Sequence, residues 1–354
     1  MMKAPAMLPL LLVALVVLTS GCSVPGLDGF FPGPQVKEYE NDILIIKSIQ
    51  AVPDTVAPGQ QVRVITYVQN VGDDLIPQTD LEKISGKDSN GVDNKQILVE
   101  LYDYCEGLFT ITSINCPGKA VERSTKGGST KESTACEISK ILPGQILEVD
   151  WVIEPKSDIK LETHCPVDGM KVRVRYPYKT SSLSTITVMR AEEMQRQIEE
   201  GTFKRTDSYI VAGQGPVKPF LYVEDQQPIS QASKSTVLAL QVENRGSGFL
   251  SDYSVPIKQD HIKIMLPIGF DYSAFQSECN FVPAGGKDEN DRTANYINDD
   301  EGLRLIYGKS PKLLCKVAIP DRNIAKEITF TSMVDIEYLY EFRDSVAVTV
   351  EPKM

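Results

Sequence analysis

Histidine and tryptophan are almost missing: the 354-residue chain has two of the first, His164 and His261, and one of the second, Trp151. A Ser-His-Asp triad would have to use one of those histidines, and no nucleophile-elbow pattern accompanies either. His261 precedes the alternating run Ile262-x-Ile264-x-Leu266 and reads as a strand-surface residue. Paired C-x-x-C spacings are absent, and the one near miss, His164 beside Cys165, puts two side chains on opposite faces of an extended strand. A metal centre is therefore not expected. No glycine pattern follows a strand and opens a helix to cradle phosphate, so no cofactor is expected, and the reading is of a protein that is not an enzyme. No Asn is followed two places later by Ser or Thr, which excludes the usual N-linked glycosylation. Positive charge is in deficit, 37 Lys and Arg against 48 Asp and Glu, and a net charge of -11 repels nucleic-acid phosphates.

Long apolar runs are also missing, except at the start. Lys3 and the run from Ala6 to Leu18 have the charge and length of a signal-peptide core, short of the ~20 residues of a membrane span. The run ends in Leu18-Thr19-Ser20-Gly21-Cys22-Ser23, which resembles a lipobox whose cysteine is acylated, with Leu18 one place further from Cys22 than the usual pattern. Residues 1–21 are expected to be a signal peptide and Cys22 a lipid attachment site, holding the protein at the outer face of the cell membrane. Secretion follows if Cys22 is not acylated. Residues 22–41, dense in Pro and Gly and carrying Phe30 and Phe31, form a tether.

From Ile43 the pattern alternates with period two. Val62, Val64, Thr66 and Val68 lead into Asn70-Val71-Gly72; Ile97, Val99 and Leu101, Ile146 to Val152, Val172 to Tyr178, and Ile186 with Val188 follow. Short strands divided by turn residues predict an all-β fold of antiparallel sandwiches. The pattern then repeats. Val172-x-Val174-x-Tyr176-x-Tyr178 returns as Val334-x-Ile336-x-Tyr338-x-Tyr340, an offset of 338 minus 176, or 162, and the same offset carries Ile186 and Val188 to Val348 and Val350. Val64 to Asn70-Val71-Gly72 returns as Leu238 to Asn244-Arg245-Gly246, and Cys136-x-Ile138 as Cys315-x-Val317. These matches, in one order, argue for a duplicated domain: 42–190 and 214–354, joined by a helical linker over 191–213.

The segment Ile49-x-x-Val52-Pro53-x-x-Val56-x-Pro58-Gly59-Gln60-x-Val62, with Val68-x-Asn70-x-Gly72, Leu142-Pro143-Gly144-Gln145 and Ile186-Thr187-Val188, resembles immunoglobulin-like surface modules of the cell-adhesion-related CARDB type. The likeness spans most of 42–190 and, more faintly, 217–352. It implies an immunoglobulin-like sandwich and display or adhesion at the cell surface, and brings no functional motif.

With Cys22 assigned to the anchor, six cysteines remain: Cys105, Cys116, Cys136, Cys165, Cys279 and Cys315. An even number in an exported chain reads as disulfides. Cys279 pairs with Cys315 if each domain closes its own; the repeat leaves Cys105 or Cys116 for Cys136, and Cys165 takes the other. Phe270, Tyr272, Phe275 and Phe281, around Cys279, are the densest aromatic stretch, able to anchor a partner or to close the end of the sandwich. The acidic runs holding Asp288, Asp291, Asp299 and Asp300 offer oxygen ligands to a weak calcium site or are a solvated surface. The expectation is an envelope-anchored binding, adhesion or structural module whose partner is another surface protein. The alternatives are a self-assembling surface-layer or pilus-associated component and a solute-binding lipoprotein of a transporter.

Overall fold

The computed structural model describes residues 41–84, 86–87, 93–124, 131–159, 163–164, 169–250, 257, 261–267, 269–270, 279, 281–283, 293–296, 303–319 and 324–351. Among them twenty-one strands and one α-helix make an all-β protein of mainly antiparallel sheets. The first half runs through β1 (Leu44–Val52), β2 (Thr55–Val56), β3 (Val62–Asn70), β4 (Ile97–Asp103), β5 (Phe109–Asn115), β6 (Lys119–Ser124), β7 (Lys131–Ile138), β8 (Ile146–Pro155), β9 (Thr163–His164) and β10 (Met170–Met189). Helix α1 (Ala191–Glu199) follows. The second half contains β11 (Ile210–Ala212), β12 (Val217–Val223), β13 (Ile229–Ser230), β14 (Ser235–Asn244), β15 (Phe249–Leu250), β16 (Ile262–Met265), β17 (Phe281–Pro283), β18 (Thr293–Tyr296), β19 (Leu313–Ala318), β20 (Glu327–Val346) and β21 (Thr349–Val350).

The alternation read from the sequence sets the layers. Along β10, Val172, Val174, Tyr176, Tyr178, Ile186 and Val188 are all buried on one face. The large sheet runs β17-β18-β16-β20-β10-β4-β7-β6. Over its inner face lie the sheet β1-β3-β8-β5 and the sheet β12-β14-β19, with β5 against β7 and with β1 and β12 against the central strands. Trp151, in β8, is fully buried and donates Nε1–H to the Thr134 carbonyl (3.0 Å).

The two halves do not close separately. β10 and β20 pair along their full 20 residues, from Met170 opposite Val346 to Met189 opposite Glu327. Pro177 faces Leu339, and these differ by 339 minus 177, the same 162 as the sequence repeat. A ladder in which equivalent residues meet has a pseudo-two-fold axis between them. That axis carries the pair Tyr176–Tyr340 onto Tyr338–Tyr178. It also carries β4 onto β16: Val172 lies opposite Leu101 and Val174 opposite Val99, as Val334 lies opposite Ile264 and Ile336 opposite Ile262.

The far ends of the long strands cross over. Val188 of β10 pairs in parallel with Ile229 of β13, in the second half, while Val350 of β21 pairs in parallel with Val56 of β2, in the first. Each half thus completes the other by reciprocal strand exchange. Residues 39–354 consequently form one compact unit where the sequence suggests two domains on a linker. Within that linker, α1 has no buried residue and is held by Arg196, which pairs with Glu193 and Glu200 (both 2.6 Å), while β11 adds to the edge of β10.

The duplicated turns are alike in detail. Gly72 N–H donates to Asn70 Oδ1 (3.0 Å) and Asn70 Nδ2 to the Asp74 carbonyl (2.8 Å). Gly246 N–H donates to Asn244 Oδ1 (3.1 Å) and Asn244 Nδ2 to the Gly248 carbonyl (2.8 Å). The cysteine correspondence, by contrast, is a correction. Cys136 lies in β7 opposite Val99, whereas Cys315 lies in β19 opposite Leu238, the ladder position that Trp151 occupies opposite Val64. Spacing brought the two cysteines together; strand pairing separates them.

Candidate functional site

The densest grouping of buried polar side chains sits on the inner face at the pseudo-two-fold axis. The cross-strand register brings Tyr176, Tyr178, Tyr338 and Tyr340 together, all buried, with ring centroids 6.0 Å apart for Tyr176–Tyr340 and 6.2 Å for Tyr178–Tyr338. Their hydroxyls reach the two repeated turns. Tyr178 donates to Asp74 Oδ2 (3.1 Å), Tyr340 to Asn244 Oδ1 (2.8 Å), and Tyr338 shares a hydrogen bond with Thr180 (2.7 Å). Asp42, at the start of the body and 4% exposed, accepts from the Ser247 N–H (3.0 Å) and hydroxyl (2.7 Å), tying residue 42 to the second half. Backbone must approach closely for this to fit. A Cβ on Gly246 would lie 2.4 Å from Asp42 Oδ1 and 2.5 Å from the Tyr340 hydroxyl, so no larger residue is accommodated there.

Burial pushes all four tyrosines above their ordinary pKa, so at neutral pH they are hydrogen-bonding groups and not nucleophiles. The Asp42 carboxyl is also raised, by burial first, with the Ser247 hydrogen bonds opposing. A carboxyl raised in the folded state binds its proton more tightly there than in the unfolded chain. Its contribution to stability is therefore complete below the ordinary value of 3.8 and is lost as pH rises through the folded value. Asp42→Asn keeps an acceptor for Ser247 but does not titrate. Denaturation midpoints are expected to shift in favour of the variant as pH rises from below 3.8 to neutrality. A difference between the two proteins that is constant with pH would refute the assignment. The cluster works as a lock between the halves. A second tie is Glu337 of β20, whose carboxylate accepts from the N–H groups of Glu82 (3.1 Å), Lys83 (2.8 Å) and Ile84 (3.3 Å).

Of the residues singled out in the sequence, the structure joins Cys116 to Cys136 and Cys279 to Cys315. Cys105 is disulfide-bonded too, to a cysteine outside the described residues. Phe270 is buried edge-on to Phe330 (5.1 Å between centroids) and Phe281 is fully buried, so these two close the end of the sandwich and are not free to contact a partner. Tyr272, Phe275, Cys22, Cys165, Asp288, Asp291, Asp299 and Asp300 lie outside the described residues. Among the described residues no cluster of three His, Cys, Asp or Glu could hold a metal, and no helix is long and apolar enough to cross a membrane. His261 Nδ1 lies 3.0 Å from the Glu337 carbonyl on the strand edge.

Two surface features had no clear signal in the sequence. Val211, Leu183, Met333 and Met265 stand directly opposite one another across β11, β10, β20 and β16 on the outer face of the large sheet. Val211, Leu183 and Met265 are exposed and Met333 half-buried. The row would have been visible only once strand order and register were known. The second feature is the hairpin tip Ile306-Tyr307-Gly308-Lys309, with Tyr307 wholly exposed at a positive φ of 51°.

In comparisons with known proteins, the chain matches no protein-family pattern and no curated protein sequence.

Proposed function

We propose that this protein is a lipid-anchored, non-enzymatic module of the cell envelope that holds a binding surface toward another surface protein. One observation carries the reading: a leader ending at a lipobox-like Cys22 precedes a body whose two halves are locked into a single rigid frame by the 20-residue β10–β20 ladder. A rigid frame lowers the ordering cost of an interface, because its tips and edges are already placed. The CARDB-like turn pattern of residues 49–72 supports display at the surface, as a resemblance of fold.

The test is chemical cross-linking of intact cells, followed by mass spectrometry of this protein's adducts. Adducts with one other envelope protein are expected. Adducts only between copies would favour the second reading, a self-assembling surface component. That reading has its own support in the apolar row Val211–Leu183–Met333–Met265, since a flat uncharged sheet face suits packing against another sheet.

A further inference from the structure

The repeat supplies an internal reference for the exposed tip at Tyr307. In the first half Gln69 pairs with Ile146, and Asn70 N–H donates to the Gln145 carbonyl (3.1 Å). In the second half Glu243 bridges Lys309, and Asn244 N–H donates to the Gly308 carbonyl (2.7 Å). Lys309 therefore corresponds to Ile146, Gly308 to Gln145, and Tyr307 to Gly144. Gly144 has φ 72° and Tyr307 has φ 51°, so both halves turn through the left-handed region at the same place. Glycine enters that region freely, whereas a residue with a Cβ is disfavoured there.

The second half nevertheless carries a tyrosine at this position. Its side chain is fully exposed and Ile306 beside it is 61% exposed, so neither gains burial in the folded chain. The tip is held stiffly, with Ile306 N–H donating to the Lys309 carbonyl (2.7 Å) and Lys309 N–H to the Ile306 carbonyl (3.1 Å). Around it stands a charged collar. Glu243 pairs with Lys309 (2.9 Å) and with Arg245 (3.0 Å), and the Arg245 guanidinium lies over the Phe220 ring (4.6 Å). An unfavourable backbone position, an exposed aromatic and aliphatic pair, and a polar rim are the makings of a binding hot spot.

We propose that Ile306 and Tyr307 form a knob that inserts into a concave apolar pocket on a partner protein, with the Arg245–Glu243–Lys309 collar meeting the pocket's rim. This deepens the binding-module reading and rests on it. The occupant is concave because the tip is convex; small ligands bind in hollows of the protein, not on projections. An anionic membrane fits less well, because Glu243 already engages both basic groups of the collar and the chain as a whole carries -11. The rim residues favour a protein pocket edged with carboxylates, which Arg245 and Lys309 can reach.

The test has two parts, both on the full chain. First, Tyr307→Asn and Tyr307→Gly are expected to raise the thermal midpoint by about 1–2 °C, since either residue suits the turn better. A lowered midpoint in both would show that tyrosine serves the fold, and would overturn the inference. Second, a photo-reactive phenylalanine analogue is placed at 307 and, as control, at exposed Leu142 on the corresponding tip of the first half. On intact cells the expected result is a protein adduct at 307, none at 142, and at least a tenfold loss of the adduct when Arg245→Glu and Lys309→Glu are introduced together. Adducts at 142 and none at 307 would sink the knob while leaving the binding-module reading in place. Adducts with another protein at neither position would count against both. Co-sedimentation with anionic phospholipid vesicles that disappears in Tyr307→Asn would assign the tip to lipid and overturn a protein partner.

Discussion

Replacing Tyr340 with alanine is expected to lower the stability of the whole body by about 3–5 kcal/mol, in one transition. Tyr340 is fully buried, packs edge-on against Tyr176 of the other half, and donates to Asn244. Its removal leaves a cavity in the seam and a buried Asn244 amide oxygen with one donor fewer. Trp151 makes the experiment clean: it is the only tryptophan, fully buried, and lies in the first half. Its fluorescence should melt together with the heat-absorption peak, both shifted, although the substitution is in the second half. A Trp151 transition that stayed at the parent temperature while another moved would show two independent sandwiches, and the exchanged-strand architecture would be wrong.

The second large effect is expected from Cys279→Ser with Cys315→Ser. The bridge spans a sequence separation of 36, for which the chain-entropy model gives about 4 kcal/mol. Cys315 is also fully buried at the ladder position of Trp151, so the serine hydroxyl adds a desolvation cost. The separation across Cys116–Cys136 is 20, and its double serine variant should lose about half a kcal/mol less on the same model. Urea midpoints of the two variants check both the size and the order. Equal midpoints for the parent and the Cys279/Cys315 variant would mean that this bridge contributes nothing.

The strands were legible in the sequence because a sandwich writes its faces into period-two alternation. So was the duplication, because Asn70-Val71-Gly72 and Asn244-Arg245-Gly246 build the same side-chain-capped turn. What alternation does not carry is which strand a residue pairs with. Val172 to Tyr178 and Val334 to Tyr340 were visible as copies, yet nothing in their spacing says that they lie against each other across an axis at Pro177 and Leu339. The cysteines failed for the same reason: a shared motif placed Cys136 and Cys315 together, but pairing sets them in different sheets. Phe270 and Phe281 attracted notice as aromatic residues near a cysteine, and they are core. Asp42 and Tyr307 gave no signal, since one depends on Ser247, 205 residues away, and the other on the sign of a single φ.

The reciprocal exchange also sets an order of events as the chain is made. Met189 ends β10, and the first residue of its partner β20, Glu327, is 327 minus 189, or 138, residues later. At synthesis rates of roughly 5–20 residues per second, β10 waits on the order of ten seconds with one side of its ladder bare. Long-range pairings of this kind form slowly even in a finished chain, because the intervening loop must first be closed. The nascent first half is thus an open template for any extended strand it meets, including that of a neighbouring copy, and only arrival of the C-terminal residues removes that hazard.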